Sequence, residues 1–352
     1  MPGMTRRRAL AASGLTAVAA TVPAVPVTAG TARPPARGRI DVHHHAVPRE
    51  MREWAERQGL IPPGGGPSWA DWSLNATLDT MKANGIAAGV ASAPIPAEVF
   101  QDRAVAASGV RICNESMAGL VRSHPTRFGF FANVAMLHPD LALKQIAYAF
   151  DELGADGVLL NTSADGRYLG DPMFDPLFAE LDRRGAVVFT HPFAPKGIVT
   201  VPGVEDYIGD FLLDTTRTAL SLIAAGTLER YRRVSVILSH AGGFLPYIVG
   251  RAEGWGREDG GPDPAKIRYA LRRFFYDTAL PMSPYATPSL LNAVGAGRVL
   301  FGTDWPANTA GEVRVNTRDF DRDPGLGDRE HRAIGRDNAL RLLPRLAARV
   351  GR

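Results

Sequence analysis

The chain has 352 residues, 45% of them hydrophobic, a formal net charge of +4 and one cysteine, Cys113. A lone thiol excludes a disulfide framework and a cysteine-built metal site. Three of the 40 basic residues, Arg6, Arg7 and Arg8, fall in an acid-free leader, so the remainder is nearly neutral, and with no basic patch interleaved by aromatics nucleic acid is excluded as a partner.

In chain order, the first element is a leader. Arg6-Arg7-Arg8-Ala9-Leu10 precedes a weakly apolar stretch, Ala11 to Ala29, that holds no charged residue. Val27-Thr28-Ala29 offers small residues for cleavage. This reads as a twin-arginine export signal with Ala9 in place of the usual Phe. Its Ala and Thr content, with Pro23 and Pro26, makes a poor membrane-spanning helix, so no stable membrane insertion is expected. Residues 1–38 are expected to be signal and linker, and 39–352 one folded domain of an exported protein, cytoplasmic if the signal is idle.

Eight short apolar runs follow: Arg39–His43, Ala88–Ala93, Phe128–Ala135, Gly157–Asn161, Ala186–His191, Val234–His240, Phe274–Thr278 and Arg298–Asp304. Val187-Val188-Phe189 and Val236-Ile237-Leu238 are continuously apolar, as in a parallel strand buried on both faces. Helical periodicity fills the gaps, with helices expected over Ala142–Leu153, Phe174–Arg184, Leu213–Ala225 and Asp337–Arg349. Eight alternations of strand and helix predict an α/β fold, a (β/α)8 TIM barrel in a single domain. A doubly wound sheet is disfavoured, because no Gly-rich phosphate loop follows the first strand. Two connections are expected to be long loops at the C-terminal mouth: Pro48 to Thr80 after strand 1, and Ala307 to Arg329 after strand 8.

The chemistry begins in Asp41-Val42-His43-His44-His45. Alternation along a strand points His43 and His45 the same way and His44 the other, so two imidazoles on one face form half of a metal site. The chain has eight histidines, and His191 and His240 close the predicted strands 5 and 6, while Asp304 closes strand 8. All converge on the mouth of a barrel. His124, His138 and His331 fall at loop or helix-edge positions and are expected at the surface.

This arrangement resembles the amidohydrolase superfamily over essentially the whole chain after residue 38. Ser123-His124-Pro125-Thr126-Arg127-Phe128, Gly170-Asp171-Pro172-Met173-Phe174, Phe275-Tyr276-Asp277-Thr278-Ala279, Phe301-Gly302-Thr303-Asp304-Trp305-Pro306 and Gly335-Arg336-Asp337-Asn338-Ala339 are similar to its decarboxylase-type branch. That branch includes 2-amino-3-carboxymuconate 6-semialdehyde decarboxylase and 6-methylsalicylate decarboxylase. The resemblance implies that His43, His45, His191 and Asp304 hold one divalent metal ion. Zinc is expected, manganese is the alternative, and no organic cofactor is needed. It implies His240 and Asp304 as catalytic acid/base groups, Arg251 near the substrate or a homodimer contact, and Trp72 and Trp305 as substrate-binding walls. Trp69 and Phe193 are equally placed for packing. Asp277 is expected to orient a neighbour. Strand 4 ends in Asn161 and Thr162, without the lysine that bridges two metals in binuclear relatives.

The implied reaction is decarboxylation of a small aromatic or conjugated hydroxy acid, the partner being a small-molecule carboxylic acid. Its alternative is hydrolysis of a lactone or amide by the same mononuclear site.

Overall fold

The computed structural model describes residues 38–257, 260–279 and 282–351; the export signal expected in the leader lies outside them. Eight parallel strands form one sheet. They are β1 (Arg39–His45), β2 (Ile86–Ser92), β3 (Phe128–Asn133), β4 (Gly157–Asn161), β5 (Val187–His191), β6 (Ser235–Leu238), β7 (Phe275–Asp277) and β8 (Val299–Leu300). Each pairs with the next, and past β8 the backbone closes on β1 through Val42 N–H to Phe301 O at 2.9 Å and Asp304 N–H to His43 O at 2.8 Å. The expected (β/α)8 barrel is therefore the observed fold.

Inward side chains follow a polarity gradient set by the two-residue strand period. Val90, Phe131, Leu159, Phe189 and Ile237 pack together at the barrel centre with Ile40, Val42 and Leu300. Two residues further along their strands come Ser92, Asn133, Asn161, His191 and Ser239, all buried. Oil in the middle thus gives way to a ring of polar groups at the C-terminal end. β1 departs from strict alternation through a register irregularity between Asp41 and His44. Ile40 and Val42 stay in the central cluster, while the His43 ring lies edge-on to Phe189 and also faces inward. Ala339, Leu343 and Leu346 of the C-terminal helices join the same cluster.

Several connections differ from expectation. The stretch after β1 is mostly helical, with α1 at Arg49–Arg57 and α2 at Leu74–Ala83. Met51 and Trp54 form the buried face of α1, and Ser73 caps α2 at the Ala76 N–H. The stretch after β8 contains a helix at Ala310–Asp321, begun by a capping box in which Thr309 and Glu312 satisfy each other's backbone. The expected helix over Asp337–Arg349 is broken before Pro344, whose ring cannot continue it. His331 is buried rather than exposed, its ring nitrogens 2.9 and 2.8 Å from the Gly327 and Phe320 carbonyls, because the short helix carrying it packs on Phe320.

Gly302, between β8 and Asp304, is required by close packing. A Cβ there would lie 2.8 Å from His43 Cβ and 3.2 Å from Asp277 Cβ. Gly302→Ala is expected to cost about 1–3 kcal/mol of stability, read as a lower urea midpoint by circular dichroism. An unshifted midpoint would contradict this packing.

Candidate metal centre and active site

His43 and His45 at the end of β1, His191 at the end of β5 and Asp304 beyond β8 bring four potential ligand atoms within 4.8 Å of one another, all buried. His43 Nε2 and His45 Nε2 are 3.1 Å apart, and Asp304 Oδ1 lies 3.2 and 3.0 Å from them.

The hydrogen-bond partners fix what these atoms are. His43 Nδ1 faces Asp277 Oδ2 at 2.8 Å and so carries the ring proton. His45 Nδ1 faces Ser92 Oγ at 2.9 Å, and that hydroxyl donates to the His44 carbonyl, so His45 Nδ1 is also the protonated nitrogen. In its neutral form each ring therefore turns its Nε2 lone pair toward a carboxylate oxygen. Asp304 Oδ1 and His191 Nδ1 are buried with no hydrogen-bond partner. Several buried acceptors facing one another repel unless a cation sits among them. Three imidazoles and one carboxylate suit a borderline divalent ion, so the residues fit one metal ion on their own chemistry.

The electrostatics agree. Burial disfavours charge on every member. At His43 the carboxylates of Asp304 and Asp277 overcome burial and push the imidazole up to about 10. At His45 burial prevails and holds the ring below its ordinary value; at His191 burial and the adjoining imidazoles hold it well below. Asp304, despite burial, is held well below the usual carboxylate range by His43 and its other imidazole neighbours. His45, His191 and Asp304 therefore stand in the forms that ligate a metal, and His43 would yield a proton to the ion.

Two carboxylates organise the backbone. Asp277 accepts from the His240 and Ala279 N–H groups through Oδ1 while its Oδ2 holds His43. Asp41 accepts from the His43 and Thr303 N–H groups, from the Thr303 hydroxyl and from His44 Nδ1, tying β1 to the turn that carries Asp304. Asp304 has φ 61°, His240 φ 54° and Ala241 φ 55°, left-handed values that non-glycine residues adopt at a cost of about 1–3 kcal/mol each. Gly243 lets the chain turn away after His240, since a Cβ there would meet the Leu212 carbonyl at 2.1 Å.

A family model described as amidohydrolase matches residues 40–345. The chain belongs to the amidohydrolase family. It is 37% identical to a 6-methylsalicylic acid decarboxylase of Aspergillus aculeatus over 324 residues, covering 88% of this chain and 96% of the relative. It is 35% identical to a 6-methylsalicylic acid decarboxylase of Penicillium expansum, covering 88% and 97%. Among solved structures, a dihydroxybenzoic acid decarboxylase from Polaromonas with bound manganese superposes with a TM-score of 0.72 at 24% identity, covering 88% of this chain and 97% of that one.

In this amidohydrolase the ligand cluster opens into a cavity of about 570 Å³, reached from the mouth of the barrel. His45, His191, Asp304 and His240 form its floor; Val47, Met51, Ile95, Phe193 and Phe211 are among its walls. His240 is 1% exposed, neither ring nitrogen has a hydrogen-bond partner, and Nε2 is 3.7 Å from Asp304 Oδ2.

The expected substrate contacts divide. Trp69 lines the cavity, whereas Trp72 lies in a larger groove of about 670 Å³ that holds none of the four ligands, beside α3 (Arg103–Ser123). Trp69 lies within the 3-10 turn Ser68–Asp71 and Trp72 directly follows it, and the two side chains go to different sides. Trp305 is not on the cavity wall; it is buried and its indole N–H donates to Thr77 Oγ1 at 3.0 Å. Arg251 is exposed on the helix Val249–Trp255 and does not reach the cavity. Phe193 does line it, as do residues that the sequence reading did not single out, among them Asn308, Glu205, Asp206 and Glu312. Asn308 had a legible signal: four residues past Asp304, its N–H bonds the Asp304 carbonyl and its side chain the Thr303 carbonyl.

Asp277→Asn is expected to lower divalent-ion affinity about 10–100-fold without unfolding the barrel, measured by chelator competition. Undiminished affinity would remove Asp277 as the group that orients His43.

Proposed function

We propose that this amidohydrolase is a metal-dependent, non-oxidative decarboxylase of a small aromatic hydroxy acid of the salicylate type. The observation that carries the reading is the cluster of His43, His45, His191 and Asp304 beside an uncommitted, buried His240, in a chain aligned almost end to end with 6-methylsalicylic acid decarboxylases. Bound there, a divalent ion would supply a Lewis acid that grips the substrate carboxylate and its neighbouring hydroxyl. Zinc is the ion proposed, with manganese, bound in the Polaromonas decarboxylase, as the alternative.

The remaining work belongs to side chains. Met51, Ile95, Phe193 and Phe211 present apolar surface to the ring and exclude water from the floor. A proton must reach the ring carbon that bears the carboxylate. The carbon–carbon bond then breaks, its electron pair restores the aromatic ring, and carbon dioxide leaves. Asp304 and His240 are the groups that hold and pass that proton, at the same floor as the carboxylate. No electron-accepting organic cofactor is needed, because the protonated ring itself accepts the pair.

We further propose a homodimer, and export through the twin-arginine leader, supported by Arg6 and Arg7 before an uncharged stretch.

Metal-loaded protein incubated with hydroxybenzoates and lactones is expected to release carbon dioxide from the 2-hydroxybenzoates and to leave lactones intact; the opposite pattern would replace the decarboxylase by a hydrolase. His240→Ala is expected to keep a stoichiometric ion by elemental analysis and lose about 10²–10⁴-fold in kcat. Unaltered turnover would take His240 out of the mechanism. Residues 1–38 fused to a folded reporter are expected to direct export only while Arg6 and Arg7 are intact, and export of the Arg6→Lys/Arg7→Lys fusion would overturn the leader assignment.

A further inference from the structure

The cavity has a charge pattern that the decarboxylation chemistry does not use. Glu205, Asp206 and Glu312 line it, and among the described residues no Lys or Arg does. Glu205 and Asp206 stand at the start of the helix Asp206–Ala224, and Glu312 in the first turn of Ala310–Asp321. Glu205 and Glu312 are exposed and Asp206 is half-buried, which places the three at the mouth and not at the floor. Among the described residues none of the three has an ion pair with a Lys or Arg. Glu312 accepts from the Thr309 N–H and hydroxyl, neither of them a cation. Other acids of this arginine-rich chain are matched: Glu53 by Arg49, Asp140 by Arg103, Glu180 by Arg183 and Arg184, Asp165 by Lys196. The mouth therefore carries uncompensated negative charge above a floor where the buried His240 has no hydrogen-bond partner on either ring nitrogen.

On the decarboxylase reading above, the reacting carboxylate goes to that floor, so the far edge of the ring faces the walls and the mouth. A first negative charge meets the ligand cluster and its cation. A second, on the far edge, would lose water against Met51, Ile95, Phe193 and Phe211 and would face three like charges with no cation beside it. We infer that the mouth carboxylates Glu205, Asp206 and Glu312 are specificity determinants that admit monoanionic acids and turn away acids bearing a second negative charge on the ring. The effect is electrostatic and close to solvent, so salt weakens it, with a screening length of about 8 Å at physiological ionic strength.

The test compares two probes of equal size, 2-hydroxybenzoate bearing either a carboxamide or a carboxylate at ring position 5. Dissociation constants and carbon dioxide release are measured together on metal-loaded protein, at low and high salt. The carboxamide is expected to bind roughly tenfold more tightly at low salt, and the preference to shrink as salt rises. In the double variant Glu205→Gln/Asp206→Asn the carboxylate probe is expected to gain several-fold more than the carboxamide; Glu312 is left in place because it caps its helix. Equal binding of the two probes, or a preference that survives both neutralisation and salt, overturns the inference. A salt-sensitive preference in binding without carbon dioxide from either probe upholds the charge selection and counts against decarboxylation.

Discussion

Two imidazole nitrogens and a carboxylate oxygen face each other across 3.0–3.2 Å at the rim of the barrel, and with both rings neutral each turns a lone pair toward the others. Their ring protons are already committed elsewhere, His43's to Asp277 and His45's to Ser92. Left to themselves, such buried acceptors would rotate apart or take up protons. The barrel keeps them together because His43 and His45 share the end of β1, each oriented by a partner behind it, while Asp304 is brought in from beyond β8. A divalent cation relieves the repulsion, and the arrangement makes sense as a site only with one.

That enforcement extends into the backbone. Asp304 and His240 both sit in left-handed conformations, and the network through Asp41, Thr303 and Asp277 holds the turns that contain them. Gly302 and Gly243 provide the close approaches that a side chain would block. Strain of this kind persists where the surrounding packing over-determines it. Here the packing is the apolar cluster of Val42, Phe131, Leu159, Phe189 and Leu300 immediately below.

Above the ligands the cavity changes character with height. Its floor is imidazole and carboxylate, its walls are largely aliphatic and aromatic, and its mouth is acidic. A flat acid with one charged end and one apolar end matches the first two zones in order. The acidic zone adds selection by charge, which acts before the ligand reaches the floor.

The barrel and the convergence of five polar groups on its mouth were legible in the sequence because both rest on local periodicity, and the resemblance to the amidohydrolase superfamily told which four of them hold a metal. The eight apolar runs, and the His43, His45, His191, His240 and Asp304 that end or follow them, needed only the two-residue period of a strand and the shared polarity of a barrel's C-terminal end. Helix caps at Ser73 and at Thr309 with Glu312 were equally local, and they explain why the two long stretches are helices instead of loops. Tertiary structure alone decided which side chains meet the substrate cavity. Trp69 and Trp72 stand three residues apart and reach different grooves, Trp305 turns to Thr77, and Arg251 stays outside. His331, in a short polar helix, is buried against Phe320. Periodicity states which face of its own element a residue occupies; which cavity that face borders depends on how elements far apart in the chain pack.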